Sequence, residues 1–273
     1  MRLLITGVAG MLGHTLMQLA SERHEAWGSY RSFPVSFVRG QTFAMDLTGE
    51  AEVKARVLDL RPDVIIHTAA LTQVDECERD PFRAALVNVQ ATETLVGAAR
   101  ELGSKFVYIS TDYVFDGRRG YYAEADTPNP VNVYGRTKLS GEERVHSCLP
   151  TSLVLRTSIF GFNIQPKKGV VEYLIEPLEK RQMVSRYSDQ FSTPIYTRDL
   201  STLILELLDR GSSGLFHIGG GERVSRCDFA VSVADVFSMH RDMICAVPFH
   251  HFEGQAQRPK DSSLSGKKVE REL

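Results

Sequence analysis

The sequence predicts an α/β protein built on a doubly wound parallel sheet. Short apolar runs rich in β-branched residues alternate with segments whose apolar residues recur at helical spacing. That alternation is typical of parallel strands covered by helices on both faces. The clearest strand signals are residues 3–6, 63–67, 105–109 and 151–156. Because open parallel sheets bind ligands at the carboxyl ends of their strands, we expect a site in the segments that follow these runs.

Composition restricts the class of partner. The chain has 273 residues, of which 42% are hydrophobic and 24% are charged, and its formal net charge is -2. Nucleic acids and anionic membrane surfaces normally require a concentrated basic face, so we expect neither as a partner. No run of about 18 apolar residues predicts a membrane span.

The cysteines and histidines predict no metal site. The four cysteines are scattered without a Cys-x-x-Cys pair, and His67, His250 and His251 have no carboxylate or cysteine at metal-ligand spacing. Scattered cysteines also fit a reducing compartment. The apolar run that opens the chain at residues 3–5 is too short for the apolar part of a signal peptide. We therefore expect a cytoplasmic protein.

The first strand runs into a glycine turn that has the form of a nucleotide-binding site. Gly7, Gly10 and Gly13 follow the strand, and Met11 and Leu12 open a helix. The first glycine can make the tight turn, the second lets backbone approach a pyrophosphate, and the third lets the helix pack close to the strand. The helix N-terminus then faces the anion. We interpret this Gly-x-x-Gly-x-x-Gly segment as the dinucleotide site of a Rossmann fold, with a plain connecting turn as the alternative.

The residue after the second strand bears on the choice of cofactor. That strand is predicted at residues 25–30, and Arg31 follows it. NAD-selective sites usually carry an acidic residue there to bond the ribose diol, whereas a guanidinium suits a 2'-phosphate. The sequence therefore favours NADPH, with NADH as an alternative and an exposed loop charge as the other interpretation of Arg31. Asp46, after the third strand, is placed to accept from an adenine amino group, although an aspartate there is more often a turn or cap residue.

Tyr134 and Lys138 form the candidate catalytic pair. Four residues apart on a helix, they lie on one face. We expect the nearby ammonium to lower the pKa of the tyrosine hydroxyl from its usual value of about 10, so that the hydroxyl can exchange a proton near neutral pH. Ser110 and Thr111 follow the strand at residues 105–109 and add hydroxyls at the carboxyl edge of the sheet.

The alternation of predicted strands and helices divides the chain into two regions. Residues 1–157 are predicted to form an NAD(P)-binding Rossmann domain, with its last sheet elements drawn from about residues 195–218. Beyond residue 157 the pattern loosens. Residues 158–273 are therefore predicted to form mainly a smaller, C-terminal substrate-binding lobe.

Together these motifs resemble those of an extended short-chain dehydrogenase/reductase, and within that superfamily most closely the dTDP-4-dehydrorhamnose reductases. The segments that carry the resemblance are the glycine turn, Ser-Thr-Asp-Tyr-Val-Phe-Asp-Gly at residues 110–117, the pair Tyr134 and Lys138, and residues 67–75, 189–194 and 258–264. They are spread over nearly the whole chain.

The resemblance implies reduction of a nucleotide-linked 4-dehydro-6-deoxy sugar at its 4-keto group by hydride from NADPH or NADH. Tyr134 would be the proton donor, Lys138 would hold the nicotinamide ribose, and Thr111 would bond the substrate oxygen. Such a hydroxyl pair would stabilise the alkoxide that hydride addition leaves on the carbonyl oxygen.

The same resemblance assigns binding residues. Those for the cofactor are Gly7, Gly10, Met11, Leu12, Gly13, Arg31, Asp46, Leu47, Ala69, Ala70, Leu71, Ser110, Tyr134 and Lys138. Those for the substrate are Val74, Asp75, Thr111, Asp112, Tyr113, Arg258 and Ser262. Arg258 would pair with a pyrophosphate. A helix N-cap role for Asp75 and a plain loop position for Arg258 are the alternatives.

One departure concerns the sugar. After Arg156-Thr157-Ser158 many reductases of the rhamnose pathway carry a tryptophan, whereas this chain continues with Ile159-Phe160, and its single tryptophan is Trp27. The identity of the sugar therefore stays open.

Two other functions are compatible with these motifs. A nucleotide-sugar epimerase or dehydratase shares the glycine turn and the Tyr-x-x-x-Lys pair, although Tyr113 after Asp112 favours a reductase. A regulatory subunit resembling that of methionine adenosyltransferase would keep the fold and bind NADP without catalysis. A homodimer is compatible with either class.

Overall fold

The computed structural model of the chain describes residues 1–250 and 254–273. The strands are β1 (Arg2–Thr6), β2 (Glu25–Tyr30), β3 (Gln41–Ala44), β4 (Val64–His67), β5 (Lys105–Ile109), β6 (Leu153–Thr157), β7 (Ile159–Phe160), β8 (Val184–Tyr187), β9 (Phe191–Ser192), β10 (Ile195–Tyr196), β11 (Gly214–Ile218), β12 (Val224–Ser225) and β13 (Ile244–Val247). The helices are α1 (Met11–Arg23), α2 (Glu50–Leu60), α3 (Val74–Arg79), α4 (Pro81–Ala85), α5 (Ala91–Leu102), α6 (Val133–Cys148), α7 (Glu172–Glu179), α8 (Thr197–Arg210), α9 (Arg226–Val236) and α10 (Lys267–Glu272). Within these described ranges, none of the helices has both the length and the apolar character needed to cross a membrane.

Seven parallel strands form the central sheet in the order β11-β6-β5-β4-β1-β2-β3. The chain builds outward from β1 to β3 on one side and from β4 to β11 on the other. The direction of winding therefore switches between β1 and β4. Doubly wound proteins bind nucleotides in the crevice that opens at the carboxyl ends of the strands at such a point. The predicted parallel α/β fold is confirmed.

Helices cover both faces of the sheet because its central strands are apolar on both faces. All four residues of β4 are buried. On one face α1 and α8 pack against the strands and contribute Leu16 and Ile204 to the core. On the other face α2, α5 and α6 contribute Val53, Leu95 and Val145.

A smaller core lies in the C-terminal part of the chain. It packs α7 and α9 against β8 through Leu174, Phe229 and Val184. β11 instead joins the central sheet beside β6, within the segment predicted to return to the sheet. The assignment of residues 158–273 to substrate binding stays a prediction.

The helical spacing of apolar residues predicts one long helix from residue 81 to residue 102 with Gly103 as its C-cap, but the structure interrupts this segment. α4 begins under the side-chain cap of Asp80 and ends at Ala85, and a π-helical turn at Leu86–Gln90 precedes α5. A π-turn adds a residue to the helical repeat, and here the turn contains Asn88, which is buried. Gly103 ends α5 with a φ of 69°, which confirms the predicted C-cap.

A buried ion pair joins α6 to β6. Glu142 Oε2 lies 2.7 Å from Arg156 Nη2, and the two side chains are 8% and 4% exposed. Arg156 Nε also donates to Glu142 Oε1 at 3.0 Å, and the Ser110 hydroxyl donates to the same oxygen. Since both charges are removed from water, each depends on the other for compensation.

We predict that Arg156→Leu lowers the free energy of unfolding by about 3–5 kcal/mol, because it leaves the Glu142 carboxylate buried and unpaired. Urea unfolding followed by circular dichroism measures the loss. Arg144→Leu is the matched control, since Arg144 pairs with Glu93 at 2.8 Å on the surface, and should cost less than about 1 kcal/mol. Equal losses in the two variants would contradict the importance of the buried pair.

Candidate active site

The glycine turn after β1 brings backbone close to where a ligand would lie. Gly7 has a φ of +74°, a conformation that L side chains rarely adopt. A Cβ on Gly13 would lie 2.3 Å from the Gly7 carbonyl oxygen, so α1 packs too closely on the turn for any side chain there. Gly10 is the N-cap of α1, and it has no side chain that could accept a hydrogen bond from the first amides of the helix. The amides of the first helical turn, including those of Met11 and Leu12, are therefore left to bind an anion.

A buried hydroxyl at the carboxyl end of β6 has no protein partner. Thr157 is 4% exposed, and its Oγ1 forms no hydrogen bond. Buried polar atoms are normally satisfied, so a polar ligand group at this edge would complete the site. The glycine turn and Thr157 together fit a dinucleotide lying along the carboxyl edge of the sheet.

Thr111, Tyr134 and Lys138 come together beyond the carboxyl end of β5. The Thr111 side chain caps the short turn that follows the strand. The buried side chain of Asn132 caps α6, so the helix begins immediately before Tyr134. The Thr111 hydroxyl donates to Asp112 Oδ1 at 3.1 Å and lies close enough to Tyr134 to lower the pKa of its hydroxyl. Lys138 follows Tyr134 one helical turn later. The three predicted catalytic residues therefore share one site.

The pKa of Tyr134 moves in the opposite direction from the one expected from the sequence. Burial raises the pKa of this hydroxyl well above its ordinary value, although the hydrogen bond with Thr111 lowers it. The expected lowering by Lys138 is wrong, because desolvation of the hydroxyl outweighs the effects of its neighbours. Tyr134 therefore remains protonated at neutral pH, as a proton donor must be.

Lys138 is buried against an aromatic ring. The side chain is 2% exposed, and Nζ lies 4.0 Å from the centroid of the Tyr108 ring. Burial lowers the pKa of Lys138 to about 7, against an opposing effect of the Glu142 charge. The Glu142 carboxylate, one turn further along α6, is paired with Arg156. Lys138 thus titrates near neutral pH in the free protein.

Asn88 organises the site and is a residue that the sequence patterns missed. Its Oδ1 accepts from the Leu71 backbone N–H at 2.8 Å, and its Nδ2 donates to the Leu71 carbonyl at 3.1 Å and to Thr137 Oγ1 at 3.0 Å. The amide therefore holds the segment that contains Ala69 and Ala70 against α6. The available signal was a polar residue on the inner face of a predicted helix.

The residues predicted near the adenine and its ribose differ in exposure and in hydrogen bonding. Asp46 Oδ1 accepts from the backbone N–H and the hydroxyl of Thr48 at 3.0 and 2.8 Å. These bonds lower the pKa of Asp46, and the charge of nearby Arg31 lowers it further. Asp46 thus stabilises a turn in the free protein, while Arg31 is exposed and Leu47 is buried.

Ser110 does not offer its hydroxyl to a cofactor. The side chain is buried, and its hydroxyl donates to Glu142 behind the site. Since the Ser110 backbone N–H donates to the Leu155 carbonyl at 2.7 Å, a contact with the cofactor would have to use an acceptor oxygen of Ser110.

Residues predicted for the substrate side are bonded to one another. Arg258 donates from Nη1 and Nη2 to the two carboxylate oxygens of Asp75, each at 2.6 Å, and these bonds lower the pKa of Asp75. The Ser262 hydroxyl donates to Asp112 Oδ2 at 2.5 Å. In the free chain the guanidinium of Arg258 is paired with Asp75, and its pairing with a pyrophosphate stays a prediction. The alternative of Asp75 as a helix N-cap is wrong, since Asp75 lies in the first turn of α3, after Val74.

Two arginines that the sequence patterns missed lie near each other, and one of them lies near Tyr113 and Asp112. Burial raises the pKa values of Tyr113 and Asp112, and the charge of Arg226 lowers both, so Arg226 is their neighbour. Arg186 in β8 donates to two backbone carbonyls at 2.8 and 3.2 Å. Burial and the charge of Arg226 lower the pKa of Arg186. An anionic group between these two guanidiniums would relieve their repulsion.

A doubly wound sheet with a glycine turn after its first strand and a Thr-Tyr-Lys set after its fifth defines a dinucleotide-dependent oxidoreductase of the extended short-chain dehydrogenase/reductase class. The family model described as the RmlD substrate binding domain matches residues 1–273. The chain belongs to this family, which confirms the resemblance to the dTDP-4-dehydrorhamnose reductases.

Relatives of known name cover almost the whole chain. A probable low-salt glycan biosynthesis reductase, Agl14, from Haloferax volcanii is 33% identical over 98% of this chain and 91% of its own length. Methionine adenosyltransferase 2 subunit beta from Xenopus laevis is 32% identical over 99% of this chain and 82% of its own length. A dTDP-4-dehydrorhamnose reductase from Aggregatibacter actinomycetemcomitans is 30% identical over 98% and 92%.

Solved structures agree with the fold. A hypothetical dTDP-4-dehydrorhamnose reductase from Sulfolobus tokodaii superposes with a TM-score of 0.90 at 37% identity and covers 100% of this chain and 95% of that one. The dTDP-4-dehydrorhamnose reductase from Bacillus anthracis, in complex with NADP, has a TM-score of 0.87 at 30% identity, with coverage of 99% and 91%.

We predict that Lys138→Met stabilises the cofactor-free protein, and more so at pH 7 than at pH 9. With a folded-state pKa of about 7 and an unfolded value of about 10.4, the penalty for burying the charge is fully present below pH 7. It falls as the pH rises toward 10.4, because there only the unfolded chain holds the proton. Urea unfolding should show a gain over wild type that is about 2 kcal/mol larger at pH 7 than at pH 9. A gain independent of pH would contradict the lowered pKa.

Proposed function

We propose that the protein is an NADPH-dependent reductase of the 4-keto group of a nucleotide-linked 4-dehydro-6-deoxy sugar, similar to the dTDP-4-dehydrorhamnose reductases. The observation that carries the proposal is the closeness of the Thr111 and Tyr134 hydroxyls, with Lys138 one turn further along α6, at the sheet edge that also bears the glycine turn. Family membership and the NADP complex of the Bacillus anthracis relative support it.

In this proposal the side chains of the site bind the carbonyl oxygen of the substrate and donate a proton to it. The bound cofactor supplies the hydride. The hydroxyls of Thr111 and Tyr134 bond the keto oxygen and stabilise the negative charge that develops on it. Tyr134 then donates its proton, which its raised pKa keeps in place at neutral pH. Lys138 would hold the nicotinamide ribose through its ammonium.

Cofactor selection would rest on the exposed guanidinium of Arg31. It lies near Asp46, at the end of the sheet where a 2'-phosphate would be bound, so we propose NADPH as the preferred cofactor and NADH as a weaker one. The remaining cofactor contacts predicted from the sequence, from Gly7 to Leu71, are part of this proposal.

The nucleotide-sugar side would be bound by the C-terminal lobe. Arg226 supplies positive charge next to Tyr113 and Asp112, and Arg186 adds a second charge near Arg226. We propose that they bind the diphosphate in place of Arg258, which Asp75 holds. Val74 and Ser262 would then lie beside the sugar.

A regulatory subunit is the second candidate, since the Xenopus relative is the beta subunit of methionine adenosyltransferase 2. The assembled Thr111, Tyr134 and Lys138 favour catalysis. Four free cysteines are compatible with the expected cytoplasmic location, and that location and a homodimer stay predictions.

We predict that Tyr134→Phe lowers kcat by about 10²- to 10⁴-fold while the Kd for NADPH changes little, because only the proton donor is lost. The assay follows NADPH and NADH oxidation with a panel of 4-keto-6-deoxy sugar nucleotides, and fluorescence titration gives the Kd. A wild type that binds NADPH yet turns over no member of the panel would favour the regulatory subunit. Equal turnover by wild type and variant would contradict the assigned proton donor.

We predict that Arg226→Gln weakens thymidine 5'-diphosphate binding about tenfold, since it removes a charge that is partly shielded from water. Isothermal titration calorimetry measures the Kd. Arg241→Gln, at an exposed position in the same lobe, should change it by less than twofold. If Arg258→Gln has a larger effect than Arg226→Gln, the diphosphate belongs to Arg258.

A further inference from the structure

The segment from Asn163 to Gly169, which we call the 163–169 loop, is closed by one carboxylate. Glu172 Oε1 accepts from the Asn163 backbone N–H at 2.6 Å, and its Oε2 accepts from the Gly169 backbone N–H at 2.9 Å. A single side chain on the first turn of α7 therefore fixes both ends of the loop.

The closed loop reaches across to the nucleotide-binding edge of the sheet. Gln165 Nε2 donates to the Ala9 carbonyl at 2.5 Å, and Lys167 Nζ donates to Thr72 Oγ1 at 3.4 Å. Ala9 lies in the glycine turn after β1, and Thr72 lies in the segment after β4. These strands flank the point where the winding of the sheet switches, so the loop crosses the crevice in which a nucleotide binds.

The two adjacent lysines of the loop have different surroundings. Lys168 forms a salt bridge with Glu176 on α7 and also donates a hydrogen bond to it. Lys167 is bonded to a neutral hydroxyl, and among residues 1–250 and 254–273 no carboxylate forms a salt bridge with it. The charge of Lys168 is thus neutralised by α7. The charge of Lys167 lies at the crevice and is not paired with a carboxylate of the described residues.

We propose that Lys167 is a phosphate-binding residue, presented by the 163–169 loop to a phosphoryl group bound at the switch between β1 and β4. The open amides at the start of α1 and the ammonium of Lys167 would contact that anion from opposite sides of the crevice. Two ligands carry a diphosphate that could lie there: the dinucleotide and the nucleotide sugar. The assignment rests on the proposed function for the identity of these ligands.

Binding by Lys167→Ala and Lys168→Ala, compared with wild type, tests the assignment. Both residues are exposed on the same loop, so the pair differs chiefly in which charge is removed. NADPH fluorescence titration and calorimetry with thymidine 5'-diphosphate give separate Kd values, each at low and at high salt. We expect Lys167→Ala to raise one of the two Kd values about threefold to tenfold at low salt, less at high salt because of screening, and Lys168→Ala to change neither by more than twofold.

The probe that responds identifies the ligand. A response with NADPH alone assigns Lys167 to the cofactor diphosphate, and a response with thymidine 5'-diphosphate alone assigns it to the nucleotide sugar. Unchanged Kd values in Lys167→Ala, or equal changes in the two variants, overturn the assignment while wild-type binding leaves the proposed function intact. A wild type that binds neither probe contradicts the proposed function, and the role of Lys167 is then rejected with it.

Discussion

The close packing of α6 against the end of β5 is the constraint on which the site depends. A Cβ on Gly135 would lie 2.2 Å from the Tyr113 carbonyl oxygen, and one on Gly141 would lie 2.1 Å from the Tyr108 hydroxyl. Only hydrogen fits at either position, so the helix approaches the strand more closely than ordinary side chains allow. That approach brings Tyr134 to Thr111 and seats Lys138 on the Tyr108 ring.

The same packing imposes a cost on the free protein. Lys138 loses its hydration, and the nearest carboxylate on α6, that of Glu142, is held by Arg156 and Ser110. A buried ammonium in these surroundings is less stable than one in water. Such a cost is typical of a binding group that is completed by its ligand, because hydroxyls of a bound molecule can replace the lost water.

Local patterns in the sequence were sufficient for the framework. The glycine turn, the apolar strands and the i,i+4 pair Tyr134 and Lys138 are each contained within a few residues, so spacing alone could predict them. The pairing of Arg258 with Asp75 joins residues 183 positions apart, and the position of Asn88 depends on a π-turn that periodicity does not reveal. The direction of the Tyr134 pKa shift required knowing how deeply the helix is buried, which spacing does not report.

Arg226 and Arg186 could not be predicted for a related reason: neither belongs to a motif, and their closeness follows from how α9 packs on β8. Their placement shows a local pair of positive charges that the net charge of -2 does not reveal. Several surface arginines are paired with carboxylates, as Arg144 is with Glu93 and Arg210 with Glu206. Arg226 and Arg186, by contrast, form no salt bridge with a carboxylate of residues 1–250 and 254–273, and the charge of Arg226 lowers the pKa of Arg186. Because like charges in partly buried positions repel one another, a ligand group with negative charge between these two guanidiniums would relieve the repulsion. The electrostatics of this arginine pair therefore favour an anionic group on the ligand, independently of the cofactor that would supply the hydride and of the hydroxyls that would bond the keto oxygen.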